Sequence, residues 1–94
     1  MRRGDVVLVD LPRPGGTAGR EQFGSRPAII VQDDSLTPSL PTTVIVPLTS
    51  NMAAARFSGS FVLMPTSGNG LDAKSVVLTH QVRVIDRRRI ERVI

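Results

Sequence analysis

The stretch RPAIIVQ at residues 26–32, followed by TTVIVPLTS at residues 42–50, decides the fold of this chain. Each is a short run rich in Val and Ile and bounded by Pro, Gly or Ser, which is typical of buried strands rather than of helices. Arg26 opens the first run, and Thr49 closes the second. Because polar residues at the ends of buried strands are natural positions for a functional site, both are candidate site residues.

Similar patterns predict strands along the rest of the chain. A loop rich in Pro and Gly is predicted at 12–25, and the Met-Ala-Ala-Ala core of 51–57 is compatible with one helical turn. Asn69-Gly70 indicates a turn, and a second short turn is expected in the arginine-rich segment 86–89. The predicted strands are 5–11, 27–32, 42–48, 59–64, 75–79, 81–85 and 90–94.

The predicted fold class is mainly β, a small antiparallel barrel with one or two short helical turns. Every strand is short, and no crossover helices separate the strands, so a parallel sheet is disfavoured. A chain of 94 residues fits one compact domain that buries roughly 60–65% of its unfolded surface. We therefore expect a single domain over residues 1–94.

Composition narrows the classes of partner. The formal charge of +4 comes from 12 basic and 8 acidic residues, and Lys74 is the single lysine. Arginine forks suit phosphate recognition, so a polyanionic partner and a merely solvated basic surface both remain open. The absence of cysteine excludes disulfides and thiolate metal sites. No apolar stretch approaches the roughly 20 residues that cross a bilayer, so we expect a cytoplasmic protein that does not bind membranes.

Five elements follow one another over nearly the whole chain: GDVVLVDLP (4–12), GSRPAIIVQ (24–32), TVIVPLTS (43–50), GLDAKSVVL (70–78) and HQVRVIDRRRI (80–90). In these elements and their order the chain resembles the MazF/PemK family of toxin endoribonucleases, which belong to type II toxin-antitoxin systems. The resemblance implies an SH3-like barrel related to the CcdB gyrase poisons, a homodimer, and a cognate antitoxin whose acidic segment holds the toxin inactive. It also implies growth inhibition through cleavage of single-stranded RNA without metal or cofactor. In that reaction the ribose 2′-hydroxyl attacks the adjacent phosphate, leaving a 2′,3′-cyclic phosphate and a 5′-hydroxyl.

The resemblance also implies the catalytic residues. Arg26 and Thr49 occupy the positions of the family's usual catalytic pair. A pentacoordinate phosphorane needs fixed donors at its equatorial oxygens, and an arginine fork and a threonine hydroxyl supply them. Gln81 and Arg83, which belong to the HQVR element at residues 80–83, lie where the family commonly contacts RNA. The predicted RNA-binding residues are Gln81, Arg83, Ser50, Glu21 and Arg87.

Proton transfer requires another group, because a guanidinium with a pKa above about 12 is a poor base near neutral pH. His80 is the only histidine, and histidine is the side chain that ordinarily titrates near neutrality. His80 is therefore a possible acid or base, although a structural histidine at a strand junction is the alternative. Adjacent Asp33 and Asp34 indicate a turn rather than a cation site, and no metal site is expected.

Other interpretations of the same residues remain open. Arg26 could be a surface residue paired with Glu21 or Asp33, and Thr49 with Ser50 suits a strand-ending turn. A toxin that binds a protein such as DNA gyrase, or a catalytically silent module that binds RNA or antitoxin, could use the same fold. Phe23 and Phe57 could stack on an RNA base or belong to the core. The densest basic run, predicted to lie on the binding surface, is Arg83, Arg87, Arg88, Arg89 and Arg92.

Family members usually continue into a C-terminal helix after the last strand. The sequence as given ends at Ile94. We therefore expect a toxin domain of residues 1–94 that lacks this helix.

Overall fold

The computed structural model describes residues 1–11 and 24–94, and these residues form strands and short 3-10 helices. None of the described helices is long and apolar enough to cross a membrane. The strands are β1 (Val6–Leu11), β2 (Gly24–Ile30), β3 (Thr42–Thr49), β4 (Phe61–Leu63), β5 (Ser75–Val77), β6 (Arg83–Asp86) and β7 (Ile90–Val93). The 3-10 helices are η1 (Thr37–Ser39), η2 (Met52–Arg56), η3 (Thr79–Gln81) and η4 (Arg87–Arg89).

The strands pair in the order β4-β5-β3-β2-β1-β7, and β6 also pairs with β3. All of these pairs are antiparallel, which confirms the predicted mainly β architecture with short helical turns. The sheet is not closed, however, because within the described ranges the edge strands β4 and β7 do not pair with each other. The edge strands β4, β6 and β7 are all short, with three, four and four residues, and short edges limit unwanted pairing with other chains.

Strand β2 begins three residues earlier than the sequence pattern predicts. Gly24 pairs with Leu11, and Arg26 pairs with Val9, so Arg26 lies inside the strand rather than at its start. A proline normally marks the end of a central strand, because it has no N–H to donate to the ladder. Here Pro27 is accommodated because β2 pairs only with β1 at this position, where Pro27 lies opposite Leu8.

Two apolar clusters use alternate residues of the same strands. Successive side chains of a strand point to opposite faces, and along β1 Val7 and Val9 join one cluster while Val6 joins the other. Strands buried on both faces read as continuous apolar runs, which explains the VVLV and VIVPL patterns. The first cluster contains Val7, Val9, Leu11, Ala28, Ile30, Ile45 and Ile85. The second contains Val6, Val46, Leu48, Leu71 and Val77.

Candidate active site

Strands β2 and β3 separate at one end, and this separation creates the candidate site. Their ladder ends at the pair of Ala28 and Pro47. Ala28 follows Pro27 in the sequence, and a proline has no N–H to donate. Continuing the same register by two residues places Arg26 opposite Thr49. On its other edge, β3 pairs with β5, where Thr49 lies opposite Val76. Arg26 and Thr49 are therefore each held in a strand on opposite sides of a gap.

This gap is a cleft of about 360 Å³. Apolar side chains that belong to the second cluster, Leu48 and Leu71, form part of its wall. Both arginine and hydroxyl side chains line it, which suits an anionic ligand. The polar residues that line the cleft are Ser25, Arg26, Thr49, Ser50, Asp72, Ser75 and Arg92.

The hydroxyl of Thr49 is buried and has a fixed orientation. The residue is only 6% exposed, and its Oγ1 accepts a hydrogen bond of 3.2 Å from the backbone N–H of Asn51. The side chain of Asn51 in turn caps η2 by accepting from the backbone N–H of Ala53 at 3.1 Å. Because Oγ1 already accepts from the backbone, its own hydrogen is the natural donor toward a ligand in the cleft.

Asp72 and Arg92 also line the cleft. Asp72 was not a predicted site residue, whereas Arg92 belongs to the basic run predicted to lie on the binding surface. Asp72 follows Leu71, which is 8% exposed and packed in the second cluster. Arg92 lies opposite Leu8 of β1, and on the other side of Leu8 lies Pro27. The sequence contained a signal for Arg92, which lies in the basic run, whereas no pattern in the sequence distinguishes Asp72.

The loop that carries Asp72 is anchored at both ends. Before it, the Asn69 side chain accepts hydrogen bonds from the backbone N–H groups of Thr66 and Leu71, at 3.0 and 3.1 Å. After it, buried Ser75 donates to the carbonyl of Ala73 at 3.0 Å. Asp72 is exposed between these anchors, so its carboxylate is presented on a defined loop.

Of the predicted site residues, the structure brings together Arg26, Thr49 and Ser50. His80 and Gln81 lie in η3 and are not among the described residues that line the cleft. β5 runs antiparallel to β3, so the chain moves away from Thr49 as it proceeds beyond Val76, and Leu78 already bonds to the carbonyl of Pro47.

The other predicted RNA-binding residues are more distant in the fold or undescribed. Arg83 lies on β6 opposite Ile45, and Arg87 donates a hydrogen bond of 3.3 Å to the carbonyl of Leu40. Glu21 lies outside the described residues, as does Phe23.

The basic run does not form one surface. Arg92 lines the cleft, whereas Arg88 bonds Asp86 at 2.9 Å and Arg89 lies 3.8 Å from a carboxylate oxygen of Asp10. Hydrogen bonds from the Arg88 side chain and backbone lower the pKa of the Asp86 carboxyl to about 2. The arginines point in different directions because side chains alternate along β7 and the chain turns at η4. The spacing of the arginines in the sequence alone could not indicate this.

The predicted turn at Asp33 is present. Ser35 donates to the Asp33 carboxylate from its backbone N–H and from its hydroxyl, each at 2.8 Å. These bonds lower the pKa of the Asp33 carboxyl. Across residues 1–11 and 24–94, no three His, Asp or Glu side chains form a group that could hold a metal ion.

Comparison with known proteins identifies the family. Residues 2–94 match the model of the PemK-like, MazF-like toxins of type II toxin-antitoxin systems. The chain belongs to this family. It is 36% identical over 91 residues to the endoribonuclease MazF of Staphylococcus saprophyticus, which covers 97% of this chain and 72% of that protein.

Solved structures of the PemK/MazF family have the same fold. The crystal structure of MazF from Deinococcus radiodurans matches with a TM-score of 0.69 and 26% identity, covering 99% of this chain and 78% of the other. A MazE–MazF structure from the same organism matches with a TM-score of 0.62, with the same identity and coverage. The prediction of a PemK/MazF-type toxin fold is thus confirmed.

Proposed function

We propose that residues 1–94 form a toxin endoribonuclease of a toxin–antitoxin pair, which cleaves single-stranded RNA in the cytoplasm with Arg26 and Thr49 at the scissile phosphate. Membership of the PemK/MazF family supports a toxin, and 36% identity to an endoribonuclease supports RNA as substrate. The observation that carries the assignment of residues is the cleft that Arg26 and Thr49 both line. Two different phosphate-binding donors are thereby held by two different strands.

The donors suit the charge that develops during cleavage. Attack of the 2′-oxygen forms a new O–P bond and yields a phosphorane with additional negative charge on its equatorial oxygens. The Arg26 guanidinium binds the two non-bridging oxygens as a planar fork, and the Thr49 hydroxyl donates a further hydrogen bond to one of them. Donors fixed in advance, such as a hydroxyl anchored to Asn51, stabilise such a state without reorganisation.

Asp72 is the proposed proton acceptor. Among the described residues that line the cleft, it supplies the side-chain carboxylate, whereas the arginines there are poor bases. Asp72 takes the proton of the 2′-hydroxyl as its oxygen bonds to phosphorus, and the bond from phosphorus to the 5′-oxygen breaks. The leaving oxygen takes a proton from water, giving a 2′,3′-cyclic phosphate and a 5′-hydroxyl. No metal ion or cofactor is required for this sequence of steps.

Partners follow from the same proposal. The MazE–MazF structure from Deinococcus radiodurans supports an antitoxin as partner of this chain, and an acidic antitoxin segment would complement a protein of net charge +4. A homodimer would place two clefts on one particle. RNA binding that neutralises several phosphates should weaken steeply as salt concentration rises.

The test is cleavage of a long, weakly structured RNA in the presence of EDTA, with the 5′ ends of the products mapped. The parent protein should give discrete cuts with 5′-hydroxyl ends, and Arg26→Ala should lose them. Arg89→Ala is the matched control, because Arg89 faces Asp10 outside the cleft. This control should cleave like the parent.

Three outcomes would contradict the proposal. Activity lost in EDTA would require a metal, and activity retained by Arg26→Ala would remove Arg26 from the site. Intact RNA in a folded parent preparation would instead favour the alternatives, a toxin that binds a protein such as gyrase or a silent binding module. Salt-dependent RNA binding without cleavage would select the silent module.

A further inference from the structure

An exposed stack of three planar side chains lies outside the cleft. The rings of Phe57 and His80 have centroids 4.9 Å apart and are tilted by 47°. The guanidinium carbon of Arg56 lies 4.7 Å from the centre of the Phe57 ring. Phe57 is 41% exposed, and its two neighbours are exposed as well. We call Arg56, Phe57 and His80 the planar stack.

The fold brings the planar stack together from two separate turns. Phe57 ends η2 by donating its backbone N–H to the carbonyl of Ala54, and His80 lies in η3. The Thr79 hydroxyl donates to the carbonyl of Gly59 at 2.9 Å and so joins the two turns. Gly59 has a φ of +85°, and a β-carbon there would lie 3.2 Å from the Thr79 hydroxyl. Glycine therefore allows both the turn and this close contact.

The guanidinium of the planar stack is also held in place. Arg56 donates from Nη1 to the carbonyl of Ala53 at 3.3 Å, one turn earlier in η2. Its plane is thus fixed near Phe57 in the free protein, which reduces the entropy lost when a ligand binds. Neither Phe57 nor His80 belongs to the apolar clusters of the core. Their exposure is not explained by core packing.

Unpaired nucleobases are the ligands that such a surface fits. Proteins bind the bases of single-stranded RNA by stacking them on aromatic rings and on arginine planes. The positive charge of Arg56 adds attraction for the RNA backbone. A protein partner would match less well, because the planar stack combines a cation and a polar imidazole with only one apolar ring.

The planar stack is also connected to the proposed site of cleavage. Thr49 bonds to Asn51, Asn51 caps η2, and η2 ends beside Phe57. A 3-10 helix rises about 2.0 Å per residue, so this five-residue helix spans on the order of 10 Å. That span suits a nucleotide next to the scissile phosphate rather than the reacting nucleotide itself.

We propose that the planar stack binds an unpaired base of the RNA substrate and thereby contributes to substrate affinity. The role as a substrate subsite rests on the proposed ribonuclease function, whereas base stacking itself can be measured without cleavage. The contribution should appear as a change of Kd and of KM, with little change of kcat. Chemistry at the phosphate remains with the cleft.

The test uses single-stranded RNA in which fluorine replaces every 2′-hydroxyl, so that no attack is possible at any sequence. Phe57→Leu should raise the Kd for this RNA about tenfold, within the range that stacking on one aromatic ring contributes. Phe61→Leu is the matched control, since Phe61 is 51% exposed on β4 and lies outside the planar stack. That control should bind like the parent. His80→Ala should weaken binding in the same direction as Phe57→Leu.

Each remaining outcome decides the matter. Equal Kd values for parent, Phe57→Leu and His80→Ala would overturn the proposal, as would an equal loss in Phe61→Leu. If Phe57→Leu instead altered self-association in sedimentation equilibrium while its RNA affinity stayed unchanged, the planar stack would be a protein contact. Absence of cleavage by the parent on ordinary RNA would refute the ribonuclease but leave the binding comparison intact, so the two failures can be told apart.

Discussion

Replacement of Thr49 by valine tests the proposed donor with the least change of shape. Valine keeps the branched side chain of this buried position and removes only the hydroxyl. If that hydroxyl binds the phosphorane, kcat should fall by about 10²–10³, which is the loss seen on removing one oxyanion donor, or roughly 2.7–4 kcal/mol of transition-state stabilisation. The free energy of unfolding should fall by only about 1 kcal/mol, because the backbone N–H of exposed Asn51 can bond to water instead.

Strand β3 offers a matched control in Thr43. This residue is fully buried, and within the described part of the chain its Oγ1 has no hydrogen-bond partner. Thr43→Val therefore removes an unsatisfied polar group and should raise the free energy of unfolding by about 1 kcal/mol. RNA cleavage by Thr43→Val should equal that of the parent. The same substitution is thus made twice in one strand. Thr49→Val should lose cleavage and some stability, whereas Thr43→Val should keep cleavage and gain stability.

The assay is single-turnover cleavage of a labelled RNA, with urea unfolding of each variant to measure stability. Cleavage by Thr49→Val within about threefold of the parent would refute the donor role. A comparable loss of cleavage in Thr43→Val would show that β3 tolerates no valine, and the loss in Thr49→Val could then not be assigned to the hydroxyl. Single-turnover conditions exclude product release as the step measured.

Two further predictions concern carboxylates. Asp72→Asn should lower kcat at least about 100-fold with little change of KM, as expected when a general base is removed. Asp10→Asn, outside the cleft, should cleave like the parent. If Asp72→Asn lowers kcat by less than about threefold, Asp72 is not the base. The pKa of Asp86 is lowered from its ordinary value of 3.8 to about 2 by Arg88, so its stabilisation is present above 3.8 and is lost as pH falls through 2. Thermal unfolding should therefore show parent and Asp86→Asn differing near pH 5 and converging toward pH 2, and a difference that widens on acidification would contradict this linkage.

Much of the fold could be predicted from the sequence, because apolar periodicity is a local signal. The runs around Ile29 and Ile45 gave two central strands, and the Asp86 segment gave a turn followed by the last strand, as the structure confirms. Whether the sheet closes could not be judged in this way, since closure depends on pairing between distant edge strands, which no local pattern encodes. The sequence pattern also places the start of β2 too late. It begins the strand at Pro27, whereas in the structure Gly24 already pairs with Leu11.

The candidate site was predictable only where sequence neighbours stay neighbours in space. Ser50 follows Thr49 and reaches the same cleft. His80 was singled out by its chemistry, yet the antiparallel direction of β5 carries it away from Thr49 toward Phe57. Asp72 could not be predicted, because a carboxylate in a surface loop carries no signal until the fold shows that the loop lines the cleft.

Pro27 connects the fold to the proposed chemistry. β2 and β3 stop pairing next to this residue, and its missing N–H removes the next hydrogen bond of a ladder whose register would otherwise bring Arg26 opposite Thr49. A continuous ladder would bring these two backbones to within about 5 Å and leave no room for a phosphate between them. The interruption leaves Arg26 in β2, where it pairs with β1, and Thr49 in β3, where it pairs with β5, while the space between them opens. The residue that ends the pairing is thus adjacent in sequence to Arg26, because one local interruption both creates the cleft and positions its donors.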